Sequence, residues 1–196
     1  MKFEEFKKQM LNYLSELKID LSDKQLEQFY EYMKLLIQWN KVMNLTGITD
    51  SNEIIIKHFI DSLTVLKEID EKSTIIDVGT GAGFPGIPLK IAFSNTKVVL
   101  LDSLNKRINF LNEIINKLDL NNIKAIHGRA EDFGQDKEHR EKYDIAIARA
   151  VAPLNILLEY LMPFVKVKGK CICMKGSNVE DEIVNSKKAI QILKGK

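Results

Sequence analysis

The chain has 196 residues, which at roughly 150 residues per domain excludes two full-sized domains. A content of 45% hydrophobic and 29% charged residues, with 10 Gly and 4 Pro, excludes a disordered or fibrous polymer. The net charge of +2 is unevenly spread: residues 1 to 72 hold 10 Lys, no Arg and 13 acidic residues, a balance of −3, and the rest carries +5, so a polyanion is expected to meet the second part.

The start, with acidic residues among its lysines and no apolar run, resembles neither a signal peptide nor a presequence, and a cytoplasmic location is expected. Phe3, Phe6, Met10, Leu14 and Leu17 recur at spacings of three and four and predict an amphipathic helix. Ser22 followed by Gln25 forms a capping-box pattern ahead of the stripe Leu26, Phe29, Tyr30, Met33, Leu36 and Ile37. A third helix is expected from Asp50, with Glu53 as box partner, burying Ile55, Phe59, Leu63 and Leu66 in part. Residues 1–72 therefore read as a small helical module.

From Ser73 the pattern changes to short β-branched runs, Thr74 to Val78, Lys97 to Leu101, Ile123 to His127, Tyr143 to Ala148 and Cys171 to Met174, separated by helical stretches such as Lys106 to Leu118 and Pro153 to Phe164. Such alternation predicts right-handed βαβ units and an α/β fold: a doubly wound, Rossmann-like parallel sheet over residues 73–196. The longest apolar region, Ala150 to Val165, contains Glu159 and two prolines and is not a bilayer span, so no membrane partner is expected. Cys171 and Cys173 share a strand face and are expected to serve as small buried hydrophobes; no metal is expected.

The strongest local signal is Asp77-Val-Gly-Thr-Gly-Ala-Gly-Phe-Pro-Gly86, directly after the first strand. Gly79, Gly81 and Gly83 permit positive φ and close approach of a ligand, and Pro85 and Pro88 suit the first turn of the helix that follows. Gly81 to Gly86 also fits G-x-G-x-x-G, which leaves an NAD(P)-binding oxidoreductase open. Asp77 favours the other reading: a carboxylate at the strand end repels a pyrophosphate and attracts an amine or a sulfonium, as in S-adenosyl-L-methionine.

Asp102 ends the second strand, where it can accept ribose hydroxyls, cap the next helix, or both. Gly128-Arg-Ala-Glu-Asp132, after the third strand, is either an adenine-side segment or a helix start. After the fourth strand stands Arg149-Ala-Val-Ala-Pro-Leu154, with no carboxamide to accept the hydrogens of an exocyclic amine. Arg149 either makes a surface ion pair or offers its fork of donors to a ligand.

The glycine loop with its Phe-Pro-Gly-Ile-Pro-Leu extension resembles the RsmG (GidB) family, together with Trp39 to Thr46, Lys57 to Leu63, Leu101 to Arg107, His127 to Glu131 and Ala148 to Leu154. These are bacterial methyltransferases acting on guanine N7 of 16S ribosomal RNA. The resemblance implies S-adenosyl-L-methionine as cofactor and 16S ribosomal RNA or the small subunit as partner, for a monomeric enzyme. It implies cofactor contacts from Gly79 and Phe84, adenine-side contacts from Ala130 and Glu131, and a cofactor contact beside the transfer cleft from Arg149, which is also the candidate for orienting guanine. Asp77, Gly81 and Asp102 keep the roles argued above. Lys175 is a further substrate candidate, and Arg129 with Lys166, Lys168, Lys170, Lys187, Lys188, Lys194 and Lys196 is a candidate set for the RNA backbone. A small-molecule methyltransferase is the alternative within the same fold.

Guanine N7 presents an in-plane lone pair and loses no proton on methylation, so no general base is expected; His58, His127 and His139 read as structural or surface residues. The resemblance also implies a final antiparallel hairpin that follows five visible strands, and a chain ending at Lys196 is expected to lack it.

Overall fold

A computed structural model describes residues 1–176 and 179–193; Lys194 and Lys196 lie outside the described residues. Helix α1, Phe3–Leu17, buries Phe6, Met10 and Leu14. Helix α2, Asp23–Met43, opens with the expected capping box, Gln25 N–H reaching Ser22 Oγ at 3.3 Å and Ser22 N–H reaching Gln25 Oε1 at 2.8 Å.

The third helical stretch departs from the expectation. Asp50 caps it through the N–H groups of Asn52 and Glu53, but the Glu53 side chain closes no box; it pairs with Lys57 at 2.6 Å. Only Ser51–Ile54 (α3) and Asp61–Leu63 (α4) are α-helical, and Ile55–Ile60 between them form a π turn. A π turn is rare and often marks a functional position.

Five parallel strands follow: β1 Thr74–Val78, β2 Lys97–Asp102, β3 Ile123–His127, β4 Tyr143–Arg149 and β5 Val165–Met174, in the order β3-β2-β1-β4-β5. The helices between and after them are α5 Gly86–Ala92, α6 Asn105–Lys117, α7 Ala130–Phe133, α8 Leu154–Leu161 and α9 Val179–Ile192. The chain winds from β1 outward to β3, then crosses to β4, so the strand order reverses between β1 and β4. A crevice at the carboxyl ends of those two strands is where open α/β sheets bind ligands.

β5 begins six residues before the expected Cys171. Its first half, with Lys166, Lys168 and Lys170, carries no apolar run; it is an edge segment opposite a register shift at Tyr143/Ile145. Lysines on an edge strand discourage pairing with other chains.

Successive strand residues face opposite layers. Ile75, Leu100, Ile145 and Ile147 join one core with Phe6, Leu36 and Phe59 of the N-terminal helices and Phe110 of α6. Ile76, Leu101, Ala146 and Ala148 face Leu157, Leu161 and Phe164 on the other side. Cys171 and Cys173 pack against this second layer, where burial pushes their thiols up to about 12 and about 11, leaving them protonated and unreactive. The N-terminal helices thus cover one face of the sheet and reach its ligand-binding edge.

Candidate active site

The loop after β1 takes the conformation its glycines permit, with φ of 69° at Gly79, 62° at Gly81 and 99° at Gly83. A Cβ on Gly79 would lie 2.7 Å from a methyl of Val151, so the segment after β4 closes directly on this loop. Tyr32 of α2 supports the loop from beneath: its hydroxyl donates to the Ala82 carbonyl, and its ring stacks on Phe84 with centroids 5.3 Å apart.

Asp77 is fully buried at the end of β1. Its Oδ2 accepts from Thr80 Oγ1 at 2.6 Å and from Gly86 N–H at 2.8 Å, and so ties both ends of the loop to the strand. Oδ1 has no partner among the described residues. Burial pushes the carboxyl up to about 6, against the opposing effect of those two hydrogen bonds. A buried acceptor without a donor beside a glycine loop is a place for a ligand N–H or a water.

Asp102, 2% exposed, serves the loop and α6 together. Oδ2 accepts from Gly81 N–H at 2.8 Å and Arg107 Nη1 at 3.1 Å, and Oδ1 from Leu104 N–H at 2.9 Å. Oδ1 thus holds the residue that precedes α6, although no side chain caps that helix; most of the roughly four acceptor sites of the carboxylate are filled, and a ribose diol would exchange with one of these donors. Gly128 N–H bonds the Asp102 carbonyl at 3.0 Å, which places the turn before α7 beside Asp102. Ala130 is half-buried there and Glu131 exposed, with no hydrogen bond to its carboxylate among the described residues.

Arg149 at the end of β4 is no lone surface ion pair. Nη1 donates to the Lys57 carbonyl at 3.0 Å and to Asp61 Oδ2 at 2.7 Å, and Nη2 meets His58 Nδ1 at 3.0 Å. The guanidinium carbon lies 5.1 Å from the Phe84 ring centroid, close enough for a cation–π contact. His58 stacks on the same ring at 4.4 Å and 14°. Burial, followed by the Arg149 charge, lowers its pKa to about 4.

His58, read from the sequence as a structural or surface residue, is a buried structural one, and it stands directly against Arg149. His127, with Nε2 3.1 Å from the Ser103 carbonyl, and His139, 2.6 Å from the Tyr143 hydroxyl, make contacts away from the Arg149 cluster. Sequence reasoning also missed Thr46, Lys57 and Asp61, although Lys57-His-Phe-Ile-Asp61 carried the signal: a polar cluster with spacing that one helical turn brings together.

Lys175 is occupied as well. It pairs with Glu182 of α9 at 2.7 Å and donates to the Ala152 carbonyl at 2.9 Å, while Glu182 accepts from Leu154 N–H at 2.8 Å. It pins the segment after β4, in which Ala150 holds a φ of 54°. Lys166 and Lys170 pair with Asp144 and Glu68 around a hollow of about 380 Å³ at the amino ends of the strands. Together with Lys168 they lie at the opposite end of the sheet from Asp77 and Arg149.

Sheet order, glycine loop and acidic strand ends together define the Rossmann-like methyltransferase class. Its fold recurs in a SAM dependent methyltransferase from Aquifex aeolicus, 21% identical with a TM-score of 0.55 over 76% of this chain and 86% of that one. It recurs also in precorrin-6y C5,15-methyltransferase from Geobacter metallireducens, 12% identical with a TM-score of 0.51 over 68% and 70% of the two chains.

The chain belongs to the rRNA small subunit methyltransferase G family, whose model matches residues 25–196. The ribosomal RNA small subunit methyltransferase G of Thermoanaerobacter sp. (strain X514) is 60% identical over 86% of this chain and 71% of its own length. That of Alkaliphilus metalliredigens is 52% identical over 92% and 77%.

Proposed function

We propose that this chain transfers the methyl group of S-adenosyl-L-methionine to N7 of a guanine in 16S ribosomal RNA. The observation that carries this reading is the family match over residues 25–196, which takes in the N-terminal wall of the cleft as well as the cofactor loop. The donors and acceptors present suit the cofactor. Asp77 Oδ1, buried and unpartnered among the described residues, is an acceptor for its cationic end; Gly81, with nothing within 4 Å of where a Cβ would stand, allows close backbone approach; Phe84 is an apolar wall; and Asp102, Ala130 and Glu131 line the side where β2 and β3 end. When bound, the cofactor supplies an already activated methyl on a sulfonium.

The work left to the protein is alignment. N7 of guanine attacks with a lone pair in the ring plane, so the residues must hold the base in line, exclude water and move no proton. Alignment of this kind contributes as effective molarity, ~7–11 kcal/mol in favourable cases. The site matches that requirement. His58 has both ring nitrogens engaged by protein groups, Thr46 and Arg149, and Arg149 supplies fixed donors to a substrate or cofactor anion or a base edge.

The cofactor and substrate are tested together by incubating the chain with methyl-labelled S-adenosyl-L-methionine and either small-subunit RNA or a metabolite extract. Label in the RNA alone is expected. Label only in small molecules would favour a small-molecule methyltransferase, and calorimetric binding of NAD in preference to S-adenosyl-L-methionine would overturn the cofactor assignment.

A further inference from the structure

His58 has no role in the chemistry above, yet its ring is held at both nitrogens and on one face. It is 8% exposed, stacked on Phe84, and bonded on both nitrogens. The tautomer follows from its partners. Arg149 only donates, so Nδ1 accepts, and Nε2 carries the proton and donates to Thr46 Oγ1 at 2.9 Å.

Thr46 is fixed in turn by Asn40 of α2, whose Oδ1 accepts from Thr46 N–H and whose Nδ2 donates to the Thr46 carbonyl, both at 2.9 Å. A continuous run of hydrogen bonds, Asn40, Thr46, His58, Arg149, therefore leads from the N-terminal helices to the end of β4. The π turn Ile55–Ile60 belongs to the same device, because within it the Lys57 carbonyl is accessible to Arg149 Nη1.

Arg149 Nη1 spends both its hydrogens on Lys57 and Asp61, and Nη2 spends one on His58. The second Nη2–H and Nε–H have no partner among the described residues and make up the free side of the guanidinium. We propose that His58 is a positioning residue that sets the rotation of Arg149 over Phe84, so that this free edge is presented to the methyl-transfer cleft. The inference rests on the proposed methyl transfer for the purpose of the edge, and on the geometry alone for its orientation.

The ring must stay neutral to accept from Arg149. The charged groups facing it are Arg149 from β4, which with burial lowers its affinity for a proton, and Asp61 from its own helical stretch, which opposes them.

Two measurements test this. Imidazole nitrogen NMR of the intact chain should find His58 as the Nε2–H tautomer, unprotonated down to about pH 5. An Nδ1–H tautomer, or protonation near pH 6.5, would overturn the proposal. In single-turnover transfer to small-subunit RNA at saturating cofactor, His58→Phe keeps the ring stack and loses the acceptor; it should slow transfer about tenfold or more. His58→Asn, whose Oδ1 falls where Nδ1 lies, should recover to within about threefold of wild type, and His58→Phe should add nothing in an Arg149→Ala background. Wild-type rates in His58→Phe, or equal losses in Phe and Asn variants, would contradict the role. A wild-type chain that binds cofactor but methylates no RNA would instead refute the proposed function, and the tautomer would then decide the positioning role by itself.

Discussion

Asp77 shows how a functional residue can work against the stability of its own fold. Its carboxyl is fully buried, with one oxygen unpartnered, and its pKa is raised from 3.8 to about 6. The folded chain therefore binds this proton more tightly than the unfolded chain, so stability is fully present below about pH 4 and is lost as pH rises through about 6, by about 3 kcal/mol on the linkage relation. Asp77→Asn removes that penalty. At pH 8 without cofactor the variant should melt a few degrees above wild type, the difference should shrink towards pH 5, and cofactor affinity should fall at least about tenfold. A variant that melts lower at pH 8 would show that the buried charge is compensated. His58 acts with the opposite sign. Its pKa is lowered, so the unfolded chain takes up the proton first and stability falls as pH drops from 6.5 towards 4.

At Arg149, replacement by Lys keeps the charge but removes the planar fork. Arg149→Lys should lose methyl transfer by about tenfold or more. Near wild-type transfer would reduce the residue to a charge. The acidic strand ends and glycine loop were legible in the sequence because their chemistry is local: positive φ needs glycine, and a carboxylate two residues ahead sets the polarity of the site. His58 was not legible, because a histidine in an amphipathic helix reads as a core or surface residue until the partner from β4, ninety residues away in sequence, is seen.

Among the elements, α2 is the one through which the N-terminal helices hold the cofactor loop. Gln25 closes the capping box at its start and also donates to the carbonyls of Ile91 and Ala92 at 2.8 and 2.9 Å, satisfying the otherwise open end of α5. Ser22→Ala loses the cap alone and should cost about 1 kcal/mol. Gln25→Ala also leaves two part-buried carbonyls unpaired and should cost roughly 1–3 kcal/mol by urea denaturation. If Ser22→Ala proved the more damaging, the cross-link to α5 would be unimportant.

The helices α1 and α2 were readable from the periodicity of one buried face, and four of the five strands from short apolar runs, because β1, β2 and β4 are buried on both faces. The exceptions have physical causes. The start of β5 alternates lysine with small or exposed residues on an edge, which is not a strand pattern of the core. The π turn leaves no periodic trace in six residues. Glu53 sits at box spacing but finds Lys57, a charged partner, one helical turn on.

On the scale of the whole molecule, the N-terminal helices and the sheet share one core, and they meet at Trp39. This single tryptophan of α2 packs edge-to-face on Phe110 of α6 with centroids 5.7 Å apart. Chemical unfolding followed by tryptophan fluorescence should therefore coincide with the loss of helix followed by circular dichroism, in one transition. Two separated transitions would mean that the helices fold independently of the sheet. The cleft needs both parts, since Tyr32, Thr46, His58 and Asp61 come from the first and Asp77, Phe84, Asp102 and Arg149 from the second.

The central claim is methyl transfer to N7 of a guanine, and N7-methylation makes an RNA strand selectively cleavable at the modified base. Small-subunit RNA lacking the modification, incubated with this chain and S-adenosyl-L-methionine and then reduced and cleaved at N7-methylguanine, should give the product of a single cut, one new pair of fragments. That product should be absent with Arg149→Ala. Methyl incorporation without cleavage at any guanine, or cleavage undiminished in Arg149→Ala, would contradict the account.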